Sequence, residues 1–329
     1  MIKKLSNENR NVLVEMCKQK RKGESDLSWN EIGAIFGCTG EQVRCWFNHQ
    51  RYKDGDIKGM YEPGKETILI MSDLHIPEHD EKEILKTCEK HKNASMLILG
   101  GDVIDCAGVS AWMSEGITLL DHELIEAHKM LKKIRNTMNK NCKIILVKGN
   151  HEHRVNRMFA ANAKQLGTAI VETEILYKLA NGFTVHNRNE NVRISYPALE
   201  NVFYCEDRTF IYGDLLVNHP SNYSKIPLNA IKNMYENTFK NKYPQCRVFL
   251  MGHTHQLGLC FRDEGVVLGE TGCMSFKHDY ANDDTRPYGA AQLGYFTLDM
   301  IDKKVDIDSI KVWSLGACKS KHKKWKLEL

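Results

Sequence analysis

The sequence predicts an α/β fold preceded by a small all-helical domain, and three observations support this. Up to about residue 53, the apolar residues follow the spacing of amphipathic helices. From residue 67 onwards, short apolar runs of strand length alternate with amphipathic stretches. The segment 54–66 between them collects glycine, proline and charged residues, as linkers do. With 329 residues, 42% of them hydrophobic, the chain is long enough to bury two cores.

The predicted N-terminal domain, residues 1–53, contains three helices. The first runs from about residue 7 to residue 20. Ser28-Trp-Asn-Glu31 and Thr39-Gly-Glu-Gln42 both have the spacing of a capping box, so a helix is expected to begin at each. Gly37-Cys38 supplies the tight turn between these two helices. The residues expected to face inward are Ile32, Gly33, Ile35, Phe36, Val43, Trp46 and Phe47.

The spacing of Gly33, Gly37 and Val43 resembles that of helix-turn-helix domains, and the resemblance covers about residues 6–52. It implies that the last helix enters the major groove of DNA. The side chains expected at bases are Glu41, Gln42, Cys45 and His49, and those expected at phosphates are Arg44 and Arg51. The alternative is a three-helix bundle that binds the second domain or another protein.

The linker contains a sequence that imitates a nucleotide-binding loop. Gly59–Glu66 matches G-x-x-x-x-G-K, but Glu66 stands where the Ser or Thr that binds magnesium is required. The apolar run Ile68–Met71 also follows this motif, whereas in nucleotide-binding proteins a strand precedes it. We therefore expect no nucleotide cofactor.

Five short apolar runs of the second domain each end directly before residues that can bind a metal ion. They introduce Asp73 and His75, Asp102 and Asp105, Asn150 and His151, His219, and His253 and His255. One polar residue at a strand end is usually a turn former, but five clusters of ligand-capable residues in succession predict a metal site. Imidazoles together with carboxylates favour manganese, iron or zinc over calcium.

The order D-x-H, G-D, G-N-H, H and G-H-x-H, over about residues 66–300, resembles the calcineurin-like metallophosphoesterases. The resemblance implies a four-layer α-β-β-α sandwich over residues 67–310, with crossover helices near 80–92 and 118–139. It also implies two divalent metal ions, Mn²⁺ or alternatively Fe or Zn. The implied ligands are Asp73, His75, Asp102 and His255 for one ion, and Asp102, Asn150, His219 and His253 for the other.

The same resemblance implies that His151 contacts the substrate and helps to protonate the leaving oxygen. Asp105 would orient the imidazole of His151, or alternatively cap its own loop. Two cations held roughly 3.5–4 Å apart lower the pKa of a bridging water, and the resulting hydroxide attacks phosphorus. No Ser or Cys nucleophile is then required.

The sequence departs from the protein-phosphatase branch of this family. Cys106 stands where that branch has arginine after Asp105, and the ending G-H-T-H resembles the phosphodiesterase and nuclease branch. Arg154 and Arg157, one helical turn apart, are candidates for binding the substrate phosphate, or form a solvated helix face. Residues 160–210 are expected to be an insertion that selects the substrate with aromatic and basic side chains, or that simply packs them.

Composition excludes several classes of protein. No apolar run approaches the roughly 18 residues of a membrane span, and the N-terminus does not resemble a signal peptide, so we expect a cytoplasmic protein without membrane contact. The eleven cysteines form no C-x-x-C pair, which argues against a disulfide framework or a zinc knuckle. The net charge of +4 is too small to indicate a partner by itself.

The C-terminal segment 311–329 is predicted to be a basic tail, either a second nucleic-acid contact or a solvated terminus. Together these patterns predict a dinuclear-metal-dependent phosphodiesterase that cleaves DNA. One alternative is a phosphomonoesterase, or a cyclic or small-molecule phosphodiesterase, whose N-terminal domain binds protein. A non-enzymatic alternative is a DNA-binding regulator with a degenerate hydrolase domain. No dimerisation surface is evident in the sequence, so the oligomeric state is left open.

Overall fold

In the computed structural model the chain forms two compact units, Met1–Lys65 and Glu66–Leu329. The structure describes residues 7–22, 25–40, 43, 47, 64–110, 119–162, 174–187, 192–262, 265–276 and 291–318. Within these ranges no helix is long and apolar enough to cross a lipid bilayer.

The N-terminal unit contains helices α1 (Asn7–Lys22) and α2 (Trp29–Ile35). The capping box at the start of α2 is present, because the amide of Glu31 donates to Ser28 Oγ at 3.2 Å and the amide of Ser28 donates to the Glu31 carboxylate at 2.6 Å. The next predicted capping box, at 39–42, lies partly outside the described residues. The buried core of this unit consists of Leu13, Cys17, Ile32, Val43 and Phe47.

The turn after α2 packs closely against the helix. A Cβ atom on Gly33 would lie 2.6 Å from the carbonyl oxygen of Cys38, so only glycine allows this approach. Gly37 has a φ of 67°, a conformation that glycine adopts without strain. The expectation that Ile35 faces inward is wrong. Its side chain is 58% exposed, because the buried face of α2 passes through Ile32 and Gly33.

The second unit is built on two sheets. Its strands, within the described residues, are β1 (Lys65–Met71), β2 (Met96–Leu99), β3 (Lys143–Val147), β4 (Gly182–Asn187), β5 (Val192–Pro197), β6 (Val202–Cys205), β7 (Thr209–Tyr212), β8 (Leu215–Asn218), β9 (Val248–Met251), β10 (Leu257–Phe261), β11 (Val267–Thr271), β12 (Gln292–Ile301) and β13 (Lys304–Ala317). The first sheet has the order β13-β12-β1-β2-β3-β6, and the second has the order β10-β11-β9-β8-β7. Strands β1, β2, β3 and β6 are parallel, as are β8, β9 and β11.

The helices of this unit connect parallel strands. They are α3 (Glu81–Lys90), α4 (Leu120–Thr137), α5 (Glu152–Asn162), α6 (Ile175–Asn181) and α7 (Asn229–Met234). Helix α7 continues through a π-helical turn, Tyr235–Phe239, into a last turn, Lys240–Lys242. Helices α3 and α4 are the crossovers predicted near 80–92 and 118–139, and they join β1 to β2 and β2 to β3.

Neighbouring residues of each central strand belong to different cores. Leu69 packs in a core with α3, α4 and α6, whereas the next residue, Ile70, packs between the two sheets. A third core lies between the second sheet and α7, where the rings of Phe239 and Phe249 stack with centroids 5.7 Å apart. The layers are therefore helices, sheet, sheet and helix, which confirms the predicted α-β-β-α sandwich.

The segment 160–210 is not one insertion. Strand β6 is an edge strand of the first sheet and β7 is an edge strand of the second, so both belong to the sandwich. Only the hairpin β4–β5 forms a separate two-stranded sheet. Its Phe183 and Tyr196 stack at 4.8 Å and both contact His128 of α4, so these aromatic rings serve packing.

Two predicted domain boundaries also differ from the observed ends of strands. Strand β13 continues through Ala317, paired with β12, so residues 311–317 belong to the first sheet and not to a tail. Strand β1 begins at Lys65, inside the predicted linker. The lysine-rich residues from 319 onwards lie outside the described part of the chain.

Candidate metal centre

The predicted ligands all lie where parallel strands of the two sheets end. Asp73 and His75 follow β1, Asp102 follows β2, Asn150 follows β3, His219 follows β8, and His253 and His255 follow β9. The loops after β1 and β2 are tied together, because the amide of His75 donates to the Asp102 carbonyl at 2.9 Å. The amide of Gly252 likewise donates to the Asn218 carbonyl at 3.1 Å, which ties the loops after β8 and β9.

One set of side chains, which we call the first ligand group, consists of Asp73, His75 and His255, whose ligand atoms all lie within 4.8 Å of one another. Asp73 Oδ1 is 3.2 Å from His255 Nε2 and 3.8 Å from His75 Nε2. The two Nε2 atoms are 3.1 Å apart. Two imidazole nitrogens facing each other beside a buried carboxylate fit a divalent metal ion.

The second ligand group consists of Asp102, His219 and His253, again with ligand atoms within 4.8 Å, together with Asn150. His219 Nε2 is 3.1 Å from Asp102 Oδ2 and 3.2 Å from Asn150 Oδ1. Asp102 Oδ2 is also 3.8 Å from His75 Nε2 of the first group. One carboxylate oxygen therefore faces both groups.

The groups behind the histidines fix which nitrogen points into the centre. His75 Nδ1 is 3.0 Å from Asp105 Oδ1, and His219 Nδ1 donates to the Gly100 carbonyl at 2.8 Å. Each Nε2 is then left to face the ligand site, as is usual for histidines that bind metal ions.

Five predicted ligands have left-handed backbone conformations. The residues and their φ angles are Asp73 (53°), His75 (48°), Asp102 (49°), His253 (79°) and His255 (55°). This region is strained for residues with a side chain. Strain held at a buried polar cluster is a common mark of functional sites.

The electrostatics of the centre favour positive charge. Burial would raise the pKa of Asp73, but the charges of His219 and His255 hold it well below its usual range. Burial opposes protonation of His75, yet hydrogen bonds to Asp105 and Asp73 raise its pKa to about 10. Burial likewise opposes protonation of His219, and the charges of Asp102 and Asp73 raise its pKa to about 9.

The remaining two histidines behave differently from each other. Burial lowers the pKa of His255, but the Cys273 thiol and the Asp73 carboxylate beside it raise that pKa to about 9. Burial and the positive charge of His219 lower the pKa of His253 to about 4. In the absence of a metal ion the buried carboxylates are thus balanced by protons on three of the four histidines, a balance that divalent cations can replace.

The family model of the calcineurin-like phosphoesterases matches residues 66–257, more than half of the chain. The chain belongs to this family. A search of the curated proteins finds no match. The fold, the family and the fit of the side-chain clusters to divalent metal therefore agree with the prediction of a metal-dependent phosphoesterase.

Several solved structures are similar to this phosphoesterase at low identity. A protein from Streptococcus pneumoniae described as a predicted phosphoesterase has 12% identity, covers 76% of this chain and 98% of its own, and has a TM-score of 0.31. Vacuolar Protein Sorting 29 from Cryptosporidium parvum has 12% identity, coverage of 77% and 98%, and a TM-score of 0.31. An archaeal phosphodiesterase has 16% identity, coverage of 76% and 99%, and a TM-score of 0.35. At these scores the structures do not discriminate among substrates.

His151 and Asp105 lie beside the two ligand groups of the phosphoesterase. His151 Nδ1 is 2.8 Å from Asp105 Oδ1 and 2.7 Å from the Asp105 carbonyl oxygen, so Nδ1 carries the proton. His151 Nε2 is 3.6 Å from Asp102 Oδ2 and accepts from Arg154 Nη2 at 2.8 Å. Asp105 therefore contacts both His75 and His151, a shared position that the sequence did not reveal.

Charge and burial keep His151 neutral. Burial is the largest influence and lowers its pKa; the charge of His75 acts in the same direction, while Asp102 and Asp105 oppose it. The Arg154 guanidinium also donates to the Asp105 carbonyl at 3.0 Å, so Arg154 is bound to the same two residues. Arg157 lies one turn further along α5 and is exposed. The two arginines predicted as a pair thus have different surroundings.

Glu152 is a structural residue of the centre for which the sequence suggested no role. Its carboxylate accepts from the amides of Val103 at 2.7 Å, Ile104 at 3.2 Å and Gly149 at 2.8 Å, and so joins the loops after β2 and β3. A Cβ atom on Gly149 would lie 2.0 Å from Asp102 Oδ1, so the close approach of these loops requires glycine. The position of Glu152 directly after His151 was the only signal in the sequence for this role.

The predicted DNA contacts Gln42, Arg44, His49 and Arg51 lie outside the described residues, as do Glu41 and Cys45. Their role therefore stays a prediction.

Proposed function

We propose that this phosphoesterase hydrolyses phosphodiester bonds of DNA with two divalent metal ions. The observation that carries the hydrolytic part is the position of Asp102, whose Oδ2 lies 3.1 Å from His219 Nε2 and 3.8 Å from His75 Nε2. A carboxylate oxygen between two ligand groups suits two metal ions that share one ligand.

The residues present fit two such metal ions. Asp73, His75, His255 and Asp102 would hold one ion, and Asp102, Asn150, His219 and His253 would hold the other, with Mn²⁺ expected and Fe or Zn as alternatives. When bound, the two cations supply Lewis acidity, lower the pKa of a water and neutralise the phosphoryl oxygens.

His151 would act on the leaving oxygen. In the structure His151 Nε2 accepts a hydrogen bond from Arg154, so this nitrogen carries no proton that it could donate to the leaving oxygen. A substrate phosphate would attract the Arg154 guanidinium and so free Nε2 to take up a proton from solvent water, and the Asp105 carboxylate beside Nδ1 would stabilise the resulting imidazolium. Arrival of the substrate would thereby turn His151 from a neutral acceptor into a general acid.

Features of the N-terminal unit support DNA as the substrate. Its capped helix α2, the tight turn at Gly37 and the close contact at Gly33 fit the packing of a helix-turn-helix pair. A domain that binds DNA would hold the phosphodiester substrate near the metal centre and raise its local concentration.

A panel of substrates tests this proposal. The protein loaded with Mn²⁺ would be incubated with supercoiled plasmid, single-stranded DNA, bis-p-nitrophenyl phosphate and p-nitrophenyl phosphate. Cleavage of either DNA together with bis-p-nitrophenyl phosphate is the expected result. Turnover of p-nitrophenyl phosphate alone would identify a monoesterase, and turnover of bis-p-nitrophenyl phosphate without DNA would identify a small-molecule diesterase. DNA binding without any turnover would identify a non-enzymatic regulator.

The contribution of the N-terminal unit is tested separately in the full chain. Replacing Arg44 and Arg51 together by Gln should weaken DNA binding. The slope of the logarithm of the binding constant against the logarithm of salt concentration should become shallower by about 2, the effect of losing two phosphate contacts. Arg262→Gln removes the same kind of charge from the end of β10 and serves as the control. An unchanged salt slope in the double variant would reject DNA binding by this unit.

A further inference from the structure

A second cluster of positive charge lies next to the second ligand group. Arg208 occupies the connection between β6 and β7, at the same sheet edge as the metal ligands, because β6 runs parallel to β3. The carbonyl oxygen of Arg208 accepts from the amide of His219 at 2.8 Å and from Asn218 Nδ2 at 3.0 Å. Its guanidinium donates to Ser221 Oγ at 2.7 Å, on the loop that follows His219. The backbone and the side chain of Arg208 are thus both fixed beside a predicted ligand.

Two residues of α5 complete this cluster. His153 and Arg157 lie one turn apart, directly after the loop that carries Asn150. Burial and the charges of Arg208, Lys148 and Arg157 together lower the pKa of His153, so three cations surround one imidazole. Lys148 forms an ion pair with Glu174, which leaves Arg157 and Arg208 as the cations of interest.

These two arginines repel each other, and no acidic residue in the described part of the chain contacts either of them. Burial and the charge of Arg157 lower the pKa of Arg208, and the charges of Asp102 and Glu152 oppose this only in part. Among the described residues, no carboxylate forms an ion pair with Arg157 or with Arg208. Arg208 is half-buried and Arg157 is exposed, and two like charges with no carboxylate in contact among the described residues favour an anion from outside the chain. A planar guanidinium binds phosphate oxygens in pairs.

We propose that Arg157 and Arg208 form a second phosphate subsite, which binds the phosphate of a DNA strand adjacent to the one that is cleaved. The inference rests on the proposed phosphodiesterase function and adds that the substrate is a chain with more than one phosphate. Under the proposed function, the cleaved phosphate would have its own partners in the bound metal ions, His151 and Arg154. A further pair of arginines on the side of Asn150 and His219 therefore serves a different group of the substrate.

Two short substrates isolate this subsite. The thymidine dinucleotide TpT has one phosphodiester, whereas the trinucleotide TpTpT has two, and the bond that is cleaved has the same chemistry in both. The value of kcat/KM would be measured for both substrates, and for bis-p-nitrophenyl phosphate, with the Mn²⁺-loaded full chain and with the variants Arg157→Gln, Arg208→Gln and Arg208→Lys. Arg262→Gln is the matched control, since it removes an arginine at the end of β10 that lies away from the ligand edge.

The wild-type protein should prefer TpTpT over TpT by about tenfold or more, the effect of one charge-assisted hydrogen-bonded contact. Each Gln variant should lose most of this preference through a higher KM for TpTpT, with unchanged kinetics on TpT and unchanged metal content. Arg208→Lys should keep part of the preference because the charge remains, and Arg262→Gln should keep all of it.

Equal use of TpT and TpTpT by the wild type, or an equal loss on both substrates in the Gln variants, would overturn the subsite while leaving the phosphodiesterase intact. Hydrolysis of p-nitrophenyl phosphate alone, with none of the three diesters cleaved, would instead overturn the proposed function and the subsite with it. A preference for 5′-phosphorylated TpT equal to that for TpTpT would show that a terminal phosphate fills the subsite, and would overturn the assignment to a strand phosphate.

Discussion

The two ligand groups differ in the charge that supports them. In the first group, His75 is backed by the carboxylate of Asp105, and both of its histidines have raised pKa values. In the second group, His219 is backed by a neutral carbonyl, Asn150 offers a neutral amide, and His253 has a lowered pKa. We expect the first group to bind its cation more tightly and to release more protons in doing so, because more negative charge surrounds it.

Asp102→Asn should have the largest effect, because Asp102 Oδ2 lies between the two groups, 3.1 Å from His219 Nε2 and 3.8 Å from His75 Nε2. We expect loss of both metal ions and a fall in activity on the order of a thousandfold, since several kcal/mol of charge stabilisation disappear with the ions. Elemental analysis of reconstituted protein measures the first effect and bis-p-nitrophenyl phosphate turnover the second. A variant that keeps one ion at full occupancy would show that the groups do not share this residue.

His151→Ala should reduce kcat by about 10²- to 10⁴-fold, the usual contribution of a general acid. His151 lies beside both groups, but we do not count it as a ligand of either, because its Nε2 faces Arg154. Both ions should therefore remain bound in the variant. A loss of metal would reassign His151 as a ligand.

Asp105→Asn separates the two groups most directly. The affinity of the first group should fall by about 10- to 100-fold, the usual effect of removing a carboxylate behind a ligating histidine, while the second group is unaffected. Asp121→Asn, the same change at an exposed position of α4, is the control. Metal titration followed by calorimetry checks both, and equal weakening of the two binding steps would contradict the difference between the groups.

Metal binding should depend on pH. His75, His219 and His255 have pKa values of about 10, 9 and 9, so each holds a proton at pH 7 that a cation must displace. Affinity should therefore rise as pH increases towards 9–10. Calorimetry in two buffers of different ionisation enthalpy counts the protons released, and no release in either binding step would be the contrary result.

The same shifts predict the pH dependence of stability without metal. A histidine whose pKa is raised on folding stabilises the folded state fully below its unfolded pKa of about 6.5. That stabilisation is lost as pH rises through the folded values of about 9–10. The melting temperature of the metal-free protein should thus fall between pH 7 and pH 10, while the loaded protein should change less.

The positions of the ligands could be predicted because each follows a buried strand whose apolar run is visible in the sequence. Asp102 after Met96–Leu99 and His253 after Val248–Met251 are examples. Parallel strands bring such residues to one edge, so neighbours in space could be inferred from residues far apart in the chain. The start of α2 could also be predicted, because its capping box depends only on Ser28 and Glu31.

Features that depend on edge strands could not be predicted. Strand β6 is the short run Val202–Cys205, of which only Val202 is buried, and no metal ligand follows it, so it was assigned to an insertion. The position of Arg208 depends on how the chain passes from β6 in the first sheet to β7 in the second, and no local sequence pattern predicts this connection. Only Val305 of strand β13 is buried, and the end of the strand, residues 311–317, was therefore assigned to a tail.

The left-handed backbone at the metal centre has a consequence for engineering. Relief of the strain at His253, where φ is 79°, requires glycine, which removes a donor nitrogen. His253→Gly should therefore be more resistant to urea than His253→Ala by about 1 kcal/mol, although both variants lack the imidazole. Equal resistance would mean that the backbone at this position is relaxed. A more thermostable form of this protein has to be sought away from the ligand edge, where a gain in stability does not remove a ligand.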